Sequence, residues 1–189
     1  MPLTHVTKVF ATTDCKIRPL TVDPSGGSPT YGVAIDVPGI KSATITGSVE
    51  RKSLRGDNTL LDADTVLTEV NVSIAYAKLS FDMLAAILGG TVTDTGTTPA
   101  QKVSWDLTNT SKPKPFLLEA VTASSDVIGG NVGFCLWKVV ISSFPELGTA
   151  EEDYKTGTLE GAAMPLLSNG KWFTPTLYET AALAGLSGT

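Results

Sequence analysis

Two long stretches of alternating apolar and polar residues dominate the first half of the chain. In residues 43–50 and 66–78 the character of the side chain alternates, which is the period of a β-strand with one buried and one solvated face. The apolar positions are Ala43, Ile45, Gly47, Val49, Val66, Val70, Val72, Ile74 and Tyr76. The polar positions are Thr44, Thr46, Ser48, Glu50, Glu69, Asn71 and Ser73. The pattern therefore predicts two half-buried strands.

The segment between these strands, residues 52–65, is polar, and we name it the arm. Its few apolar side chains are Leu54, Leu60, Leu61 and Ala63. A two-residue hairpin turn does not need so many residues between strands, so we expect a long extended loop with a functional role. Because so few apolar groups anchor it, we expect the arm to be mobile in the free subunit and ordered on assembly.

A short amphipathic helix is predicted at residues 80–89. Ser80 is a suitable N-cap, Asp82 suits the positive N-terminal end, and Gly89 favours termination. The apolar stripe of this helix is formed by Phe81, Leu84, Ala85 and Leu88.

Shorter stretches rich in Val, Ile, Thr and aromatic residues predict further strands at 6–11, 15–22, 31–37, 102–107, 116–122, 131–143, 154–163 and 172–177. The run 131–143 is apolar on both faces and is expected in the middle of the fold, whereas 91–98 is expected to be a mobile loop. The predicted fold is mainly β: a β-sandwich or barrel-like body with one flanking α-helix and a long extended loop. Residues 1–177 are predicted to form a single domain and residues 178–189 a C-terminal tail.

Composition narrows the class of protein. The chain has 189 residues and a formal net charge of −5, which argues against a broad phosphate-binding surface. No apolar run approaches the roughly 20 residues of a membrane helix, and we expect no signal peptide. Cys15 and Cys135 are predicted to be reduced strand residues rather than a disulfide.

Candidate catalytic and metal-binding residues are scarce. His5 is the only histidine and lies near a terminus, and there is no Gly-x-Ser-x-Gly nucleophile motif. Asp57, Asp62 and Asp64 do not have the spacing of a calcium loop, so we interpret them as solvated residues of the arm. We expect a protein that is not an enzyme and that uses no cofactor or metal.

The order of these features is similar to that of a known family. An arm with a glycine–aspartate pair after a first long strand, then a second long strand and one amphipathic helix, resembles the major tail protein (tail tube protein) of long-tailed bacteriophages. The sequence PGIKSATITGSVERKSLRGDN at residues 38–58 is the most similar part, and the resemblance extends from about Val6 to Thr176. We expect no additional C-terminal immunoglobulin-like module of the kind that some relatives carry.

The resemblance implies a structural virion protein, made in the host bacterial cytoplasm, whose copies form stacked hexameric rings. These rings would form the tail tube, the conduit for DNA ejection. The implied partners are further copies of itself, a tape-measure protein during assembly and tail-end proteins. DNA would pass through the lumen without specific binding.

Copies that join edge to edge would close a barrel whose polar face surrounds a wet channel. Candidate lumen-facing residues are Thr44, Thr46, Ser48, Glu50, Glu69, Asn71 and Ser73. A neutral-to-acidic lining lets DNA slide, because it offers no counter-charge to the phosphates. Candidate inter-subunit residues on the arm are Leu54, Arg55, Gly56, Asp57, Asn58, Leu60 and Leu61, which are expected to dock on a neighbouring copy.

Two alternative functions stay open at this point. The chain could be the tube protein of a contractile or gene-transfer particle, or a monomeric β-sandwich binding module. The arm distinguishes assembly from simple binding, because a tube subunit needs it whereas a binding module would function without it.

Overall fold

A computed structural model gives the structure of the chain and describes residues 7–124, 130–148 and 155–179. In chain order the strands are β1 (Val9–Val22), β2 (Thr30–Tyr31), β3 (Ile35–Asp36), β4 (Ile40–Gly56), β5 (Thr59–Tyr76), β6 (Thr91–Thr95), β7 (Lys102–Asp106), β8 (Phe116–Ser124), β9 (Asn131–Ile141), β10 (Gly157–Ala163) and β11 (Phe173–Leu177). Helix α1 (Phe81–Leu88) lies between β5 and β6. For this described part of the chain, the prediction of a mainly β fold with one helix is confirmed.

Within the described residues, nine strands form one antiparallel sheet in the order β2-β1-β8-β9-β10-β5-β4, with β3 also paired to β1 and β11 to β9. One edge of β9 has two partners, since β11 pairs with residues 132–136 and β10 with residues 139–141. The central position predicted for this apolar strand is therefore confirmed. Strands β6 and β7 form a separate two-stranded sheet.

The large sheet is curled around a single core. Strands β1 and β4 lie far apart in the strand order, yet they approach each other in space without pairing. Side chains from both ends of the sheet meet the buried face of α1 in one cluster. Its most deeply buried members include Ile17, Ile74, Leu84, Leu118, Leu136 and Leu159. Each such side chain contributes roughly 1.5–3 kcal/mol by leaving water, so this curled body holds the fold together.

Helix α1 begins and ends as its sequence predicts. The Ser80 hydroxyl accepts a hydrogen bond from the backbone N–H of Met83 at 3.3 Å, which caps the first turn. Gly89 has a φ of 80° and donates its N–H to the Ala85 carbonyl, which ends the helix. The buried side chains are Met83, Leu84, Ile87 and Leu88, so the predicted stripe was only half right. Phe81 and Ala85 are half-buried at its border.

The alternation of faces changes phase inside β9. Phe116 of β8 lies opposite Val139, and Leu118 lies opposite Leu136, so β9 uses three residues where β8 uses two. This β-bulge places Leu136 and Val139 on the same buried face. Strict alternation would have put them on opposite faces of the sheet.

Other strand predictions needed correction. The loop predicted at 91–98 is wrong, because Thr91–Thr95 pairs with β7 and Gly96, with a φ of 85°, turns the chain afterwards. The two strands predicted at 6–11 and 15–22 are joined in the single strand β1, whose bulges absorb the apparent break. The strand predicted at 31–37 is reduced to the short β2 and β3. Residues 180–189 of the predicted tail lie outside the described part of the chain.

Candidate assembly surface

The arm is a β-hairpin rather than a loop. Strands β4 and β5 stay paired as far as Gly56 and Thr59, and only Asp57 and Asn58 connect them. These two residues have φ values of 50° and 63°, the positive values that a type I′ hairpin turn requires. Asp and Asn tolerate this conformation better than other residues with a side chain. The prediction of a long loop at residues 52–65 was therefore wrong.

Two β-bulges explain why the pattern of apolar and polar residues did not predict the hairpin. The β4–β5 register shifts between Ser48 and Val49 and again between Leu54 and Arg55, with an extra residue on β5 each time. Each extra residue reverses the alternation of β5 relative to its partner. Residues 52–65 consequently lack the regular alternation of apolar and polar residues that predicts a continuous strand.

The arm projects from the body into solvent. Every side chain that the structure describes from Ser48 to Glu69 is exposed. Leu54, Leu60 and Leu61 are exposed by 63%, 50% and 64%, although leucine is a residue that chains usually bury. From Gly47, in the last row that has a buried partner, the hairpin extends nine residues to Gly56, or about 30 Å. A projection of this length that exposes three leucines is typical of a binding surface.

Most of the predicted lumen residues lie together on one face, which we call the polar face. The register places Thr44 opposite Ser73, Thr46 opposite Asn71, and Ser48 opposite Glu69. Residues directly opposite in an antiparallel pair share a face, so these six side chains form three adjacent rows. Glu50 lies further out along β4, opposite Val66, because the β-bulge between Ser48 and Val49 shifts the register of β5.

Strand β10 extends the polar face and adds a residue that sequence reasoning missed. Glu160 lies opposite Ser73, and its Oε2 accepts a hydrogen bond from the Ser143 hydroxyl at 3.2 Å. A shallow groove of about 260 Å³ lies on this face, lined by Thr44, Thr46, Asn71, Val72, Ser73, Ser142, Glu160 and Gly161. The signal was available in residues 157–163, where buried positions alternate with Thr158, Glu160 and Ala162.

The polar face carries negative charge. Glu69 and Glu160 lie on it, and the described rows from Thr44 to Ser48 contain no lysine or arginine. On the opposite face of the same strands, Val70, Val72 and Ile74 are buried in the core. The ladder therefore separates an apolar interior from a neutral-to-acidic exterior.

Strand β4 has an open edge. Within the described residues β4 pairs with β5 alone, so its second row of backbone N–H and C=O groups has no strand partner. The stretch from Ser42 to Val49 contains neither a charged residue nor a proline. Monomeric proteins usually protect an exposed edge with such residues, because an unprotected edge pairs with another chain.

Two ion pairs link segments of the body at a distance from the arm and the polar face. Lys138 Nζ lies 2.7 Å from Asp23 Oδ2, and this hydrogen bond is the main reason that the pKa of Asp23 is lowered. Arg18 lies 3.6 Å from the buried Glu119, where burial raises the pKa of the carboxyl group more than Arg18 and Lys16 lower it. These charges belong to the fold rather than to the arm or the polar face.

Neither cysteine is part of a disulfide, as predicted. Burial raises the pKa of both the Cys15 and the Cys135 thiols to about 12. Thiols of this kind stay protonated at neutral pH and react slowly.

No group of three or more His, Cys, Asp and Glu side chains suited to a metal ion occurs in the described residues. In the arm, Asp62 and Asp64 each accept a hydrogen bond at 2.8 Å from the N–H of the next residue. His5 lies outside the described part. Among the described residues, no helix has the length and apolar character needed to cross a membrane.

No protein-family model matches the chain, and no curated protein matches it. The class that the fold defines is a mainly β protein with a curled antiparallel sheet, an open edge strand and a projecting hairpin.

Proposed function

We propose that this chain is a structural subunit that assembles with its own copies into stacked rings, and that the rings form the tail tube of a long-tailed bacteriophage. By its resemblance to tail tube proteins, the ring is a hexamer and the tube is the conduit for DNA ejection. The same kind of assembly would also form the tube of a contractile or gene-transfer particle, which is the alternative function.

One observation carries the proposal: the β4–β5 ladder has two surfaces that a second copy could complete. The edge of β4 offers an unpaired row of backbone groups over Ser42 to Val49. The arm offers exposed leucines about 25 Å beyond the body. Strand addition would satisfy the edge, and docking would remove the leucines from water.

The polar face suits the wall of a channel for DNA. When edges join around a ring, the rows of Thr44, Thr46 and Ser48 line its interior. Hydroxyl, amide and carboxylate groups provide no counter-charge to a column of phosphates, so DNA moves without being held. A tape-measure protein would occupy the same channel during assembly, and tail-end proteins would close the tube.

Electron microscopy of the concentrated purified protein tests the proposal. We expect hollow tubes or rings whose mass, by sedimentation velocity, is a multiple of the 19.7 kDa chain. A protein that stays monomeric over the whole concentration range would contradict the proposal and favour a β-sandwich binding module.

A further inference from the structure

The arm has two faces of different charge. Its acidic face contains the ladder pairs Lys52–Asp64 and Leu54–Asp62 and continues to the adjoining pair Glu50–Val66 at the base of the arm. The other face contains Arg51 and Arg55 and no acidic residue among its ladder pairs. The acidic face therefore holds three carboxylates against one ammonium group.

The acidic face is shaped to receive another surface. A shallow groove of about 240 Å³ on this hairpin is lined by Lys52, Ser53, Leu54, Asp62, Ala63 and Asp64. The Oδ1 atoms of both aspartates accept hydrogen bonds from neighbouring N–H groups, which orients the carboxylates. Neither aspartate forms an ion pair with another described residue. Both charges are therefore available to a partner.

A surface of matching character lies at the C-terminal end of α1. A groove of about 250 Å³ is lined there by Leu88, Pro113, Ile141, Ser142, Ser143 and Phe144. Phe144, at the side of this groove, is 56% exposed. Lys112 and Lys114 flank Pro113, are exposed, and form no ion pair with the described residues. The N–H of Lys114 donates to the Ile87 carbonyl at 2.9 Å, which fixes this strap to the helix.

The arm cannot reach this groove in its own chain. Ile141 at the groove lies in one row with Gly161, Val72 and Ile45 across the sheet. Leu54 lies nine residues beyond Ile45 on β4, which is about 30 Å along the strand. Contact between the two surfaces therefore requires a second copy of the chain.

We propose that the acidic face of the arm binds the groove at Pro113 and Phe144 of a second copy. The inference rests on the proposed self-assembly and identifies the surface that accepts the arm. Asp62 and Asp64 meet Lys112 and Lys114, while Leu54 packs against Phe144. Residues two apart in an extended strand or in a proline-rich strap are both separated by about 6–7 Å, so the two charge pairs match in spacing.

The contact joins two different patches and so has a head-to-tail geometry. Such contacts repeat from copy to copy, and they close into a ring or continue as a stack. One arm–groove contact per subunit is then sufficient to connect each copy to the next.

Charge reversal tests the pairing in the full-length protein. The variant D62K/D64K should need a roughly tenfold or higher protein concentration to assemble, because two attractive pairs become repulsive. Combining it with K112E/K114E in the same chain should restore assembly to within about threefold of the parent. The control D94K/D106K changes the net charge equally at exposed sites on β6 and β7, and should assemble like the parent.

Disulfide cross-linking tests the geometry independently of tube formation. A mixture of L54C and F144C proteins should give a mixed dimer, whereas a mixture of L54C with V33C, at an 84% exposed position elsewhere, should not. The native thiols contribute little background because burial raises the pKa of each to about 12.

The combined outcomes separate this inference from the proposed function. Tubes together with the mixed dimer and charge rescue support both. Tubes without the mixed dimer, or without rescue, overturn the arm–groove contact and leave the tube function standing. A mixed dimer without tubes supports the contact and overturns the tube function. If neither tubes nor the mixed dimer form, both the tube function and the arm–groove contact are overturned.

Discussion

The inner and outer halves of the β4–β5 hairpin have the same backbone pairing and opposite surroundings. In the inner half, Val70, Val72 and Ile74 are buried by the rest of the sheet and by α1. In the outer half, every described side chain from Ser48 to Glu69 is exposed. The ladder thus continues about 30 Å after its own core has ended. Backbone pairing alone therefore does not bury a strand, and burial of the outer half would need a surface from outside this core.

The two halves of the hairpin contribute differently to the stability of the subunit. Burial of apolar side chains stabilises the inner half, so changes there act on folding. An isolated two-stranded hairpin is marginally stable in water, so the outer half adds little to the stability of the subunit. Changes in the outer half should therefore act on association instead.

The largest contrast is expected between Ile74→Ala and Leu61→Ala. Ile74 has 0% exposure, so its truncation should lower the free energy of unfolding by about 2–5 kcal/mol. Leu61 is 64% exposed, and its truncation should change the free energy by less than about 0.5 kcal/mol. Urea unfolding of the unassembled subunit measures both. Similar losses at the two sites would mean that the arm is part of the folding core.

A smaller effect is expected from the buried carboxyl group of the body. Burial raises the pKa of Glu119, so the folded state holds this proton more tightly than the unfolded state does. Its contribution to stability is present below the ordinary pKa of 4.5 and is lost as the pH rises through the raised pKa. Glu119→Gln cannot lose a proton, so its stability relative to the parent should improve as the pH rises to neutrality.

Urea unfolding across this pH range provides the measurement. Glu160→Gln, at an exposed position, is the matched control and should follow the profile of the parent. If the Glu119→Gln profile ran parallel to that of the parent, the buried carboxyl group would not be a source of pH dependence.

The smallest effect on folding is expected from E69K/E160K, two substitutions on the polar face. Both positions are exposed, so the free energy of unfolding should change by less than about 0.5 kcal/mol for each. If these residues line a channel, tubes should still form, while passage of DNA becomes slower and more dependent on salt because lysines bind phosphates. DNA retention by tubes at low and high salt is the readout. Identical retention by the parent and the variant would indicate that these side chains face elsewhere.

The sequence predicted the parts of the fold in which local signals and packing agree. Ser80 and Gly89 bound the helix because capping is a local property, and the faces of the inner hairpin followed from alternation. The paired arm was missed because bulges near Thr68 and Leu61 shift the alternation, and a bulge has no reliable sequence signal. Bulges and strand order are set by the whole sheet rather than by neighbouring residues.

The candidate surfaces, like the fold, could be predicted only where a local pattern identifies their residues. Alternation identified six polar residues that the register brings together, whereas Glu160 joins them only because β10 pairs with β5. The groove at Pro113 and Phe144 could not be predicted, since it combines the helix end, a proline-rich strap and the end of β9. Surfaces formed by distant segments depend on topology, which local patterns do not specify.

The proposed function requires that the outer half of the hairpin connects copies of the chain. The most direct test replaces residues 54–62 with Asp-Gly, a two-residue turn that leaves Ser53 opposite Ala63. Sedimentation velocity then compares this shortened protein with the parent at matched concentration, under conditions in which the parent forms tubes. We predict that the shortened protein keeps the far-UV spectrum and unfolding midpoint of the parent but sediments as an unassembled subunit. Assembly of the shortened protein at the same concentration as the parent would contradict the claim.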